Sequence, residues 1–193
     1  VLGGVLAPTM AQAEEVAPVD VTTQEVIETV PQSQTTKVIG TFEATTLEVV
    51  IPAVSTFVYN PNTEEMIAQD MVMNSNTNAP VYMKMSTIEV SSESAWKPNL
   101  VAPTHYTEEQ WKNLTQAETS ASVALGLNVQ DSEHYLTGIL ANGLWSVGLG
   151  DGVKVGVIKA QEEVLVNPTL KAGTAINAQQ ILTANYVFEF GLE

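Results

Sequence analysis

Apolar and polar residues alternate with a period of two through much of this chain, and that period constrains the fold more than any other feature. The clearest run lies near the C-terminus. Leu182, Ala184, Tyr186, Phe188, Phe190 and Leu192 fall on one side, and Thr183, Asn185 and Glu189 on the other. Successive side chains of a strand point to opposite faces, so this run predicts a strand with one face in a core. Ala121, Val123, Leu125, Leu127 and Val129 alternate with Ser120, Ser122, Ala124, Gly126 and Asn128, which predicts a second half-buried strand. A helix would scatter the same apolar residues around its circumference. Val153, Val155 and Val157 repeat the pattern after the glycine-rich turn Gly148-Leu-Gly-Asp-Gly152.

Earlier in the chain, Leu47, Val49 and Ile51 share a face opposite Glu48, and Pro52 closes the run. Phe57, Val58 and Tyr59 lead into Asn60-Pro-Asn-Thr-Glu64, whose residue chemistry is that of a turn. Met71 to Met73 predicts another short strand. After the polar loop Asn74 to Pro80, Val81, Met83 and Met85 alternate with Tyr82, Lys84 and Ser86, which places these methionines in the core. One segment predicts a helix: Thr107-Glu-Glu-Gln110 is a capping box, with Trp111 and Leu114 able to face inward. The expected fold class is all-β, a β-sandwich or jelly roll of eight to ten strands with one short helix and an extended N-terminal arm.

The N-terminal stretch ends in Ala11-Gln-Ala13 after a short apolar run, which reads as the tail of a secretory signal peptide over residues 1–13. Residues 14–36 then carry five acids, no Lys and two Pro, the composition of an acidic extended arm. Val19, Val21, Val26, Ile27 and Val30 make that arm apolar enough to pair as a strand, and they are the expected assembly residues. Residues 37–193 form the expected β-sandwich domain, long enough to bury roughly 70% of the surface of its unfolded chain. No cysteine is present, and a core of that size does not need one.

Charge narrows the partners. The chain holds 22 acidic residues against seven lysines and no arginine, for a formal net charge of −15. Phosphate backbones and anionic lipid both require cationic neutralisation, so nucleic acid is excluded and membrane insertion is not expected. Nucleophilic catalysis calls for a Cys, Ser or Thr held against a base. His105 and His134 sit in polar surroundings without a nucleophile motif, and read as loop histidines. Asp131, Glu133 and His134 read as a solvated turn rather than a metal cluster. The expectation is that the protein is not an enzyme and holds no cofactor.

Two weaker binding sites remain. Asn60, Asn62, Glu64 and Glu65 offer the oxygen ligands that calcium takes, without the Gly and distal Glu of an EF-hand loop. Trp96, between Ala95 and Lys97, is expected on the surface, where its ring could stack on carbohydrate. Trp111 and Trp145 are expected to be buried.

The stretches Thr46-Leu-Glu-Val-Val-Ile-Pro52, Phe57-Val-Tyr-Asn-Pro-Asn-Thr63 and Asn74-Ser-Asn-Thr-Asn-Ala-Pro-Val81 resemble secreted β-sandwich surface proteins and fibre subunits of Gram-positive bacteria, and look loosely like their wall-associated WxL-type domains. Trp145 is followed by Ser-Val, so the Trp-x-Leu signature itself is missing, and the resemblance brings no catalytic residue. It implies a secreted or cell-surface structural or adhesive protein. Its partners would be further copies of itself or other surface proteins, with strand exchange through the arm as a route to an extracellular filament. The alternative reading is a carbohydrate- or calcium-binding surface module.

Overall fold

A computed structural model describes residues 37–129 and 143–193. The signal-peptide stretch, the arm with Val19, Val21, Val26, Ile27 and Val30, and the Asp131 to His134 turn lie outside the described residues. Contacts divide the chain into two units, Val1–Phe42 and Glu43–Glu193. Residues 37–48 are exposed and take no regular structure. The second unit holds all the strands and helices among the described residues.

The protein is all-β, as its alternation predicts. The strands are β1 (Val49–Val50), β2 (Phe57–Asn60), β3 (Glu65–Ala68), β4 (Met71–Ser75), β5 (Val81–Val90), β6 (Asn99–Leu100), β7 (Ser122–Val129), β8 (Leu144–Trp145), β9 (Val153–Ile158), β10 (Glu163–Lys171) and β11 (Ala184–Leu192). One sheet runs β1-β4-β10-β7-β6, with β8 also paired to β7. A second runs β11-β5-β9, and β2 with β3 forms a separate hairpin. Every pairing among these is antiparallel except the short parallel contact of β6 with β7.

The two larger sheets share one core. Met71, Met73, Val164, Val166, Leu125 and Leu127 from the first meet Met83, Met85, Ile88, Val155 and Ile158 from the second. Full burial of side chains of this size stabilises by roughly 1.5–3 kcal/mol each before entropy is counted. The alternation is not a strict period of two throughout. In β5, Ser86 has no partner between the pairs Met85↔Phe188 and Thr87↔Val187, so the buried set shifts from Val81, Met83 and Met85 to Ile88. Such a bulge shifts the phase by one residue.

The β7 strand corrects the half-buried expectation, since seven of its eight residues are buried. Val123, Leu125, Leu127 and Val129 enter the shared core, while Ala124 on the other face packs under Trp111 and Leu114. The intervening residues Ser122, Ala124 and Gly126 are small, and small residues admit a covering layer just as polar ones admit water. Pro168 on β10 is also placed by pairing: β4 accompanies β10 only as far as Val166, so the residue without an N–H lies past the doubly paired stretch.

Two short helices are present where the sequence predicts one. Both α1 (Glu108–Lys112) and α2 (Gln116–Ala121) begin at a capping box. In the first, Gln110 N–H donates to Thr107 Oγ1 at 3.1 Å and Thr107 N–H donates to Gln110 Oε1 at 2.9 Å. In the second, Thr115 N–H donates to Glu118 Oε2 at 2.8 Å. Thr115-Gln-Ala-Glu118 repeats the pattern of Thr107-Glu-Glu-Gln110, and its helix takes Ser120 and Ala121 out of the strand that alternation predicts. Among the described residues, no helix is long and apolar enough to cross a membrane.

Candidate functional site

Trp96 is half-buried rather than fully on the surface. Its ring is half-buried against the shared core, its indole N–H donates to the Ser120 carbonyl at 2.8 Å, and its backbone N–H donates to the Ile181 carbonyl at 3.0 Å. It ties the β6 region to the turn before β11 and serves packing.

The calcium candidate loop is the tip of the β2–β3 hairpin. Asn60 pairs with Glu65 across the hairpin, and Asn60 Oδ1 accepts the Asn62 N–H at 3.0 Å, an Asx turn. Glu64 adopts a left-handed backbone (φ 56°), and its carboxylate lies 4.0 Å from Lys112 Nζ. Asn60, Asn62, Glu64 and Glu65 thus share one tip, where Asn60 Oδ1 accepts a backbone N–H and the Glu64 carboxylate faces an ammonium. Among the described residues, no group of three or more Asp, Glu or His side chains could hold a metal ion together.

That ion pair instead helps to wall a cleft of about 240 Å³. The hairpin contributes Tyr59 and Glu64, α1 contributes Glu108, Trp111 and Lys112, and β8 contributes Trp145. The end of β10 closes it with Leu170 and Lys171, followed by Ala172 and Thr174. Each wall has a local cause. The α1 capping box fixes the turn that points Trp111 inward, where the residue is 3% exposed and its indole N–H donates to the Pro103 carbonyl at 3.0 Å. Gly126 has no side chain, and the Trp145 ring occupies that space over β7, opposite its strand partner. Lys171 Nζ is paired with Glu108 across the cleft. Burial, and secondarily the negative charge of Glu64, raises the Tyr59 pKa.

The cleft was not among the sites expected from sequence. Its residues span positions 59 to 174, and no local motif joins them.

A second feature is the edge of the three-stranded sheet. β11 is nine residues long and, among the described residues, pairs with β5 alone. Its exposed face carries Asn185, Val187 and Glu189. Glu189 accepts the Tyr82 hydroxyl at 3.2 Å and lies 3.8 Å from Lys84 Nζ.

Comparison with family models, with curated proteins and with solved structures returned no match.

Proposed function

We propose that the protein is a secreted structural or adhesive surface protein that acts by contact rather than by turnover, and that copies join by strand addition. The segment from Glu14 to Thr36 of one copy is the donor, and the outer edge of β11 in the next is the acceptor. The observation that carries this reading is the composition of that edge. Edge strands are normally protected from pairing by shortness, Pro, Lys or inward charge. β11 is nine residues of Ala-Asn-Tyr-Val-Phe-Glu-Phe-Gly-Leu, without Pro or Lys, and its single acid already has Tyr82 and Lys84 as partners.

The donor fits this edge chemically. Val19 and Val21 alternate with polar neighbours, Val26, Ile27 and Val30 add a second apolar patch, and an extended segment supplies the main-chain hydrogen bonds of β-augmentation. Donor and acceptor are different segments of the chain, so such a contact between copies is head-to-tail and propagates unless the ring closes. Secretion rests on Ala11-Gln-Ala13, and the surface role on the resemblance to secreted β-rich fibre subunits.

Light scattering and negative-stain microscopy of protein beginning at Glu14 test this reading. High-order species are expected, and both deletion of Glu14 to Thr36 and the edge substitution Val187→Lys should return the protein to monomer with its melting temperature nearly unchanged. A full-length protein that stays monomeric at high concentration would sink it.

A further inference from the structure

We propose that the cleft between the β2–β3 hairpin, α1 and the end of β10 is a binding site for a neutral carbohydrate, with Tyr59 and Trp145 as its apolar contacts and the Glu64–Lys112 and Glu108–Lys171 pairs as its hydrogen-bonding rim. The site is separate from the β11 edge and does not depend on assembly.

The charge balance at the cleft argues for an uncharged ligand. The whole chain carries a formal net charge of −15 from 22 acids and seven lysines. Two of those lysines, Lys112 and Lys171, face this one cleft, each against a single acid, so two positive and two negative groups sum to zero there. An anion would have to displace Glu64 or Glu108 from its lysine and then bind within a strongly acidic molecule. A cation would find both carboxylates already compensated. A ligand rich in hydroxyl groups needs neither displacement. Hydroxyls accept from ammonium groups and donate to carboxylates at once, and hydrogen bonds to charged partners are the stronger kind.

The apolar half of the site matches the other face of a sugar. Tyr59 and Trp145 are each half-buried, so part of each residue remains accessible, while Trp111 in the same lining is buried. Leu170 and Ala172 extend that apolar lining. Aromatic rings present a large, rigid apolar area at low entropic cost, which suits the C–H face of a pyranose, and a few placed polar groups around an apolar wall are the usual composition of a ligand site.

The chain contains three tryptophans, and they provide the test. Each indole N–H gives one signal in a ¹⁵N-correlated spectrum, assigned with Trp96→Phe and Trp145→Phe. Full-length protein is titrated with neutral oligosaccharides (β-linked glucose, β-linked N-acetylglucosamine and α-linked mannose tetramers) and with an acidic one, a galacturonate tetramer. The expected result is saturable movement of the Trp145 signal with at least one neutral tetramer, a stationary Trp96 signal, and weaker or no response to galacturonate. Tyr59→Ala and Lys171→Met should each weaken binding roughly tenfold, the size of loss typical of an anchoring contact, with the far-ultraviolet dichroism unchanged. No movement with any neutral tetramer at millimolar concentration, movement of Trp96 in place of Trp145, or equal response to galacturonate would overturn the proposal. Because the readout is a residue of the cleft in solution, it is independent of whether copies assemble through β11.

Discussion

Tyr186 on β11 donates its hydroxyl hydrogen to the main-chain carbonyl of Gly126 on β7, at 3.0 Å, and so bridges the two sheets through a single polar contact. The contact sits where the ring of Tyr186 packs against the shared core. Burial pushes the Tyr186 pKa far above the ordinary tyrosine value.

Folding therefore disfavours ionised Tyr186. A pKa raised in the folded state stabilises fully below the unfolded value of about 10 and loses that contribution as the pH climbs beyond it. Tyr186→Phe is expected to cost about 1 kcal/mol at pH 7, through the unpaired Gly126 carbonyl, and to show a smaller loss of stability between neutral and alkaline pH than the parent. Urea unfolding at both pH values checks this. An identical alkaline loss in the two proteins would contradict it, since the shifted Tyr59 is common to both.

Gly126 accepts that bond and also lacks space for any side chain. An added Cβ would press on the Leu144 carbonyl, on Thr169 and on the Trp145 ring. Gly126→Ala is expected to destabilise by roughly 1–3 kcal/mol, as overpacking does, and to move the Trp145 fluorescence spectrum. A neutral substitution would mean that β8 does not pack against Gly126 as described.

Hydrogen bonds donated by Thr115, from its backbone N–H first and its hydroxyl second, lower the Glu118 pKa. A depressed carboxylate stabilises above its unfolded pKa and loses that contribution as the pH falls through the folded value. Glu118→Gln is expected to be less sensitive to acid than the parent, and Thr115→Ala to cost roughly 1 kcal/mol at neutral pH. Thermal melts from pH 7 down to pH 3 measure both.

Register across β11 and β5 makes a graded expectation. Met83 is fully buried, its partner Phe190 and the neighbouring Phe188 are half-buried, and Glu189 is exposed. Met83→Ala should cost about 2–5 kcal/mol, and Phe188→Ala less than the roughly 3–5 kcal/mol of a fully buried ring. Glu189→Ala should stay within about 0.5 kcal/mol. Denaturant midpoints in that order confirm the register; equal effects at Phe188 and Glu189 reject it.

Strand identity is legible because alternation is a local property. Leu182 to Phe190, Val81 to Met85 and Val123 to Val129 declare a buried face from their own spacing, and Thr107-Glu-Glu-Gln110 declares its helix start from a four-residue bond pattern. The helix at Thr115 is equally local. The apolar alternation beginning at Ala121 competes for the same residues and hides it, and the reciprocal Thr115–Glu118 bonds prevail at that boundary.

The second face of β7, the packing of Trp96 and the cleft are not legible. Gly126 and Ala124 read as the neutral side of a half-exposed strand; only the arrival of Trp145 and Trp111 makes their smallness a packing requirement. Trp96 has polar and Pro neighbours in sequence, yet Ser120 and Ile181 capture its N–H groups across the fold. The sequence by itself determined an all-β chain, its acidic character and most strand positions, because periodicity and charge are read residue by residue. Tertiary structure alone decided that Tyr59, Glu108, Trp145 and Lys171 share one cleft, because sheet pairing between residues far apart along the chain leaves no mark on the spacing of any of them.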